Sequence, residues 1–205
     1  MLDLAQLIQT FMTTRVKVKN SQHSHKDVEI CNEFSFQHEL GIFLREQLHG
    51  LGYKIQFERN ISFFGANQNN IKFVKKEIDI CIFNADNPNE RYAIELKCPR
   101  NGQVPEQMYS FAKDIQFMEQ LKQGLGFGAT FFVAFVDHAQ FYKKEKGKLD
   151  GIYGYFRAGE ILKGKISKLT GADKGHSVEL QQEYQIKWFP LENESDIERF
   201  CIVSI

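Results

Sequence analysis

The segment at residues 129–136, Ala-Thr-Phe-Phe-Val-Ala-Phe-Val, constrains the fold more than any other part of the sequence. Its apolar residues are continuous rather than alternating, which is typical of a central strand that is buried on both faces. A strand buried in this way needs helices on both sides of its sheet. The sequence therefore predicts an α/β fold in which a mixed central β-sheet is flanked by helices.

The periodicity of apolar residues adds further elements around this strand. Helical spacing predicts helices at residues 2–14, 32–49 and 106–122. Asn32 is expected to cap the second helix, and Gly124, Gly126 and Gly128 are expected to end the third. Strands are predicted at residues 53–58, 77–83, 91–98, 151–157, 184–189 and 200–205. We expect one domain with three parts: an N-terminal helix and basic loop (1–26), a core (30–136) and a C-terminal extension with strands (137–205).

The composition excludes several classes of protein. The 26 basic residues balance the 26 acidic ones, which argues against a generally basic nucleic-acid binder but leaves room for a local basic groove. The four cysteines form no CxxC pair, so neither a zinc site nor a disulfide framework is expected. The N-terminus lacks the basic region of a signal peptide, and no apolar run is long enough to span a membrane. We expect a cytoplasmic protein.

Three charged residues stand out because they interrupt otherwise apolar strands. Fifteen residues separate Asp79 from Glu95, and Lys97 follows two positions later. Alternation along a strand directs Glu95 and Lys97 to the same face, where unpaired charges would be costly to bury. Neighbouring strands lie roughly 4.8 Å apart, so Asp79 and Glu95 could share one Mg²⁺ ion. Lys97 could then position a metal-activated water or offset charge on a phosphate.

These residues resemble the motif of the PD-(D/E)XK nuclease superfamily, with Asp79 as its aspartate and Glu95-Leu96-Lys97 as its ExK element. Ile78 stands where the proline of the family name would be, a position that varies in the superfamily. The resemblance covers residues 30–136 and implies a restriction-endonuclease-like fold that cleaves DNA with Mg²⁺, or with Mn²⁺ in its place. It also implies a glutamate from the preceding helix, for which Glu33 is the first choice and Glu39 the second. The Leu96 carbonyl is expected as a further metal ligand beside Asp79 and Glu95.

Other residues are candidates for contacts with DNA. The lysines just before the strand of Asp79 are the best placed for phosphate contacts. The helix after the ExK strand could contribute further contacts, and its Asp114 could also reach the site. The full set of expected nucleic-acid contacts is Lys72, Lys75, Lys76, Lys113 and Gln116.

Alternatives to this interpretation remain at this point. Asp79 and Glu95 could form ion pairs with Lys97 and Lys76 at a sheet edge, and Glu33 could be a first-turn acid that favours the helix dipole. A nucleic-acid-binding or interaction module without catalysis, or an enzyme that acts on another phosphorylated substrate, would fit less well. No glycine-rich phosphate loop is found, so no nucleotide cofactor is expected. A homodimer formed through the N-terminal helix would suit double-strand cleavage and is left open.

Overall fold

A mixed six-stranded sheet forms the centre of the protein, as the sequence predicts. The computed structural model describes residues 2–19, 25–66, 71–87, 89–100, 102–144, 151–172, 174–193 and 197–205. The strands are β1 (Tyr53–Asn60), β2 (Glu77–Asn84), β3 (Arg91–Lys97), β4 (Ala129–Val136), β5 (Leu162–Ser167), β6 (Ser177–Tyr184), β7 (Phe189–Pro190) and β8 (Arg199–Ser204). The central sheet has the order β1-β2-β3-β4-β8-β7, in which β3 and β4 are parallel and the other neighbours are antiparallel.

Helices cover both faces of this sheet, and β4 shows why. Phe131, Val133 and Phe135 belong to the apolar cluster formed with α1 (Leu4–Thr14) and α2 (Glu33–Gln47). Phe132, Ala134 and Val136 belong to the cluster formed with α3 (Val104–Leu125) on the opposite face. The continuous apolar run therefore supplies side chains to two separate interiors, and its prediction as a strand buried on both sides is confirmed.

Three predicted boundaries were wrong. α3 continues through Gly124, because the absence of a side chain there lets Ile71 pack against the helix, and Gly126 with φ 69° ends it. Residues 151–157 form no strand; Gly154–Ala158 is a turn of π-helix that buries Ile152 and Phe156, which are four residues apart. Residues 184–189 also form no continuous strand, since β6 ends at Tyr184 and the indole N–H of Trp188 donates to the Phe156 carbonyl (3.0 Å).

A second sheet consists of the hairpin β5–β6, which packs on α3. Its register shifts between Leu162 and Gly164, which leaves a bulge in β6. Glu119 of α3 fills this bulge: its carboxylate accepts hydrogen bonds from the backbone N–H groups of Gln181 and Gln182 and from the Tyr184 hydroxyl, at 2.8–3.1 Å. The hairpin is thereby fastened to the helix by a buried acid. Among the described residues, no helix has the length and apolar character to cross a membrane.

Candidate active site

The candidate site lies where β2 and β3 separate. The ladder between these strands pairs Ile80 with Ile94, and Asp79 and Glu95 follow on either side as the strands diverge. The Asp79 carboxylate enters the gap and accepts a hydrogen bond from the Leu96 backbone N–H at 2.7 Å. This bond satisfies an amide that has left the ladder and fixes one oxygen of a buried carboxylate. The predicted neighbourhood of Asp79 and the ExK strand is thus present in the structure.

Glu95 lies at the bottom of the site and is fully buried. The ammonium group of Lys75 contacts its Oε1 atom and lies 3.3 Å from Oδ1 of Asp114, a buried residue of α3. The Oε2 atom of Glu95 has no hydrogen-bond partner among the described residues, and neither has Oδ2 of Asp114. Two buried carboxylates are therefore met by lysine ammonium groups, and each keeps an oxygen without a hydrogen bond in the described part of the chain.

The ammonium group of Lys97 lies close to three of the acids. Its Nζ atom lies 3.2 Å from Oε1 of Glu33, 3.5 Å from Oδ2 of Asp114 and 3.9 Å from Oε1 of Glu95. It also donates to the Leu96 carbonyl at 2.9 Å. Glu95 and Lys97 therefore share a face of β3, as strand alternation predicts. We refer to Glu33, Lys75, Asp79, Glu95, Lys97 and Asp114 as the charged cluster.

The start of α2 determines which glutamate reaches this cluster. Asn32 and Ser35 form a capping box: the Asn32 side-chain oxygen accepts a hydrogen bond from the Ser35 backbone N–H (2.8 Å), and the Ser35 hydroxyl oxygen accepts one from the Asn32 backbone N–H (3.0 Å). This cap makes Glu33 the first helical residue. In the described part of the chain, the contact with Lys97 comes from Glu33 rather than from Glu39. The first choice for the helix glutamate thus lies at the site.

Burial sets the proton affinities in the cluster. Burial raises the pKa of Asp79 to about 6, although Lys97, Lys75 and the Leu96 N–H oppose this shift. Burial also raises the pKa of Asp114, again against the pull of the two lysines. Burial alone would lower the pKa of Lys97, but Asp114, Glu33 and Asp79 together outweigh it and raise that pKa above its ordinary value. Lys97 is therefore an ammonium ion at neutral pH.

The charge balance of the cluster fits a divalent cation. Four carboxylates face two ammonium groups, which gives a formal net charge of −2 when all six are ionised. The unpartnered oxygens of Glu95 and Asp114 are ligands of the kind that Mg²⁺ takes. As the described side chains stand, no three acids, histidines or cysteines are grouped so as to hold a metal ion. Lys75 supplies the positive charge between Glu95 and Asp114, so it would have to move for a cation to replace it.

Sequence reasoning missed one acid beside the cluster. Glu58 of β1 has a φ of 47° and stands opposite Asp79 of β2, at a position where the pairing of the two strands is interrupted without a change of register. Gln37 of α2 donates to Oε1 of Glu58 at 2.6 Å and to the Asp79 carbonyl at 2.8 Å. Glu33, Asp79 and Glu58 line a cavity of about 190 Å³. The alternation at 53–58 predicted a regular strand, and no sequence signal marks the positive φ at Glu58.

The residues expected to contact DNA lie in different parts of the structure. Lys75 belongs to the charged cluster, and Lys72 and Lys113 line a groove beside it. Lys76 is exposed at the start of β2, while the Gln116 side chain donates to the Glu179 carbonyl of the hairpin (3.0 Å). The ion pairs of Glu95 are formed with Lys75 and Lys97 in the interior of the sheet, so the alternative of pairs with Lys97 and Lys76 at a sheet edge holds for Lys97 but not for Lys76 or for the edge.

Comparisons with protein-family models, with curated proteins and with solved structures found no match to this chain. Function therefore has to be argued from the chemistry of the charged cluster and its surroundings.

Proposed function

We propose that the protein is a Mg²⁺-dependent nuclease that hydrolyses phosphodiester bonds of DNA and belongs to the PD-(D/E)XK superfamily. One observation carries the proposal: Asp79, Glu95 and Lys97 meet at the gap between two buried strands, and Glu33 contacts Lys97 from the preceding helix. Buried charge of this kind is destabilising unless it is paired or used. Such a set matches the acid, acid and lysine that metal-assisted phosphodiester hydrolysis requires.

The order of elements supports a restriction-endonuclease-like fold. α2 precedes the antiparallel strands β1, β2 and β3, and α3 then crosses to β4, which is parallel to β3. The acids lie on β2 and β3, the two middle strands of this unit. This order agrees with the helix, strand, hairpin, helix and strand on which the resemblance at residues 30–136 is based, and it supports the proposal.

The residues of the cluster have distinct roles under this proposal. Asp79, Glu95 and the Leu96 carbonyl would hold Mg²⁺, which would lower the pKa of a bound water and neutralise charge on the phosphate. Because Lys97 stays protonated, it would donate to the attacking water or to the scissile phosphate rather than act as a base. Glu33 would fix the position of the Lys97 ammonium group, and Asp114 would keep it charged.

A second function is favoured by the contact between Lys75 and Glu95, which closes the cluster into an ion-pair network without any metal. Such a network would fit a nucleic-acid-binding module that uses the fold without cleaving its partner. The two functions differ in whether a cation displaces Lys75 from Glu95. Metal binding and cleavage therefore separate them.

The test is cleavage of supercoiled plasmid and linear DNA with Mg²⁺ or Mn²⁺, comparing wild type with Asp79→Asn and Lys97→Met. Both variants should lose at least about 100-fold in rate, because each removes a group that acts on the reacting phosphate. Lys54→Met, which replaces an exposed lysine of β1, should cleave like wild type. Equal cleavage by all four proteins would show that the activity does not come from this site. Absence of both cleavage and metal binding would favour the non-catalytic module.

A further inference from the structure

A cationic groove lies between α3 and the β5–β6 hairpin, outside the charged cluster. It has a volume of about 740 Å³, and residues 72–74 before β2 form its third wall. Basic side chains line every wall: Lys72 from the segment before β2, Lys113 from α3, and Lys168 and His176 from the turn of the hairpin. Glu106 accepts a hydrogen bond from Thr170 and lies near Lys168. Within the described ranges of the chain, Lys72 and Lys113 form no ion pair, so they are the cations of the groove that remain for a ligand.

Two aromatic residues line the same groove. Phe73 and Tyr109 are each half-buried, so part of each side chain remains accessible. Tyr109 precedes Lys113 by four residues on α3, which places the two side chains on one face of the helix. The groove thus combines aromatic side chains with cationic groups over a short distance.

Two walls of the groove adjoin residues of the charged cluster in the sequence. Val74 lines the groove, and the next residue, Lys75, contacts Glu95. Lys113 lines the groove, and the next residue, Asp114, lies against Lys97. Since the Cα atoms of consecutive residues are about 3.8 Å apart, the groove lies next to the charged cluster.

We propose that this groove binds single-stranded DNA and leads it to the charged cluster, with phosphates on the lysines and unpaired bases on Phe73 and Tyr109. Its role as a substrate path rests on the proposed nuclease function. Base–aromatic stacking and a positively charged groove are the two features by which proteins hold single strands without reading sequence. Paired bases of a duplex are stacked on each other, so they cannot reach rings recessed between a helix and a hairpin.

The test is fluorescence anisotropy in EDTA with a labelled oligothymidylate and with a duplex of equal length. Wild type should bind the single strand more tightly than the duplex. Tyr109→Leu keeps apolar bulk where the ring meets the core, and Lys113→Ala removes one cation; each should weaken single-strand binding by about tenfold. Lys113→Ala should also reduce the slope of log affinity against log salt by about 0.7. Lys122→Ala, on the opposite side of α3 and exposed, is the matched control and should bind like wild type.

The outcomes separate this inference from the nuclease proposal. Tighter binding of the duplex, or unchanged single-strand binding in both Tyr109→Leu and Lys113→Ala with folding verified by circular dichroism, would overturn the groove. Metal-dependent cleavage alongside either result would leave the nuclease proposal standing. Single-strand binding that depends on Tyr109 and Lys113, in a protein that neither binds metal nor cleaves, would support the groove and overturn the nuclease.

Discussion

Two acids of α3, Asp114 and Glu119, are equally buried, with 2% of each residue exposed, yet their surroundings differ. Glu119 accepts hydrogen bonds from two backbone N–H groups and a tyrosine hydroxyl, and these fasten the β5–β6 hairpin to the helix. Asp114 meets only the ammonium groups of Lys75 and Lys97, and its Oδ2 atom has no hydrogen bond in the described part of the chain. Burial alone thus does not distinguish an architectural acid from a candidate functional one. The distinction lies in the groups that meet the carboxylate: backbone N–H groups and a hydroxyl at Glu119, and lysine ammonium groups at Asp114.

The difference between the two kinds of acid can be tested most directly at Glu95, which is fully buried and, like Asp114, is met by lysine ammonium groups. Glu95→Gln should reduce metal-dependent cleavage by about 100- to 1,000-fold, because it removes a proposed ligand and a negative charge. Mn²⁺ binding measured by calorimetry should be lost as well. Glu119→Gln should cleave at the rate of wild type. A cleavage defect in Glu119→Gln as large as that of Glu95→Gln would contradict the division between the two acids.

For Glu119, the architectural acid, we predict that substitution lowers the stability of the protein rather than its activity. Glu119→Ala should lower the free energy of unfolding by about 2–3 kcal/mol, because the N–H groups of Gln181 and Gln182 and the Tyr184 hydroxyl lose their acceptor. Urea denaturation of the metal-free protein would measure this loss. Glu119→Gln, which keeps one oxygen acceptor, should recover part of it. An unchanged unfolding midpoint in Glu119→Ala would mean that the hairpin is held by its apolar contacts alone.

The smallest expected effect concerns the pH dependence of Asp79. Burial raises its pKa to about 6 from 3.8, so its contribution to stability is complete below about pH 4 and is lost as the pH rises through 6. In EDTA at pH 8, Asp79→Asn should therefore be more stable than wild type by on the order of 1 kcal/mol. The difference should shrink as the pH falls to 5. Asp86→Asn, at an exposed position, should show no such trend. A wild type that is more stable than Asp79→Asn at pH 8 would mean that the lysines outweigh burial.

Local patterns predicted much of the fold because their causes are local. The capping residue Asn32 and the stripe that begins at Phe36 marked α2, and the continuous apolar run marked β4. The C-terminal extension was predicted less well because distant contacts decide its structure. Glu119 holds a bulge in β6, and Trp188 hydrogen-bonds to Phe156 across 32 residues of sequence. Neither contact leaves a periodic trace in the sequence.

The candidate site likewise contains residues that local patterns predicted and residues whose positions depend on distant contacts. Asp79, Glu95 and Lys97 could be selected because charges stand out in apolar strands, and Glu33 followed from the resemblance and the stripe of its helix. Lys75 was expected to meet phosphate, but it lies among the acids because the segment before β2 passes beside α3. Glu58 stands opposite Asp79 at a break in the pairing of β1 with β2, and it has a positive φ that a glutamate rarely adopts. Backbone irregularity at a site is set by tertiary contacts and is not readable from spacing.

Because Tyr109 and Asp114 both belong to α3, the helix fixes the distance between them. Tyr109 and Asp114 are five residues apart, and at a rise of about 1.5 Å per residue they are separated by roughly 7.5 Å along the axis. A DNA strand stacked on Tyr109 would present the phosphate at a set distance from that base to the charged cluster. Under the proposed function, cleavage would then fall at a constant number of nucleotides from the stacked base, whatever the sequence. The helix would act as a ruler, and product lengths would report its spacing.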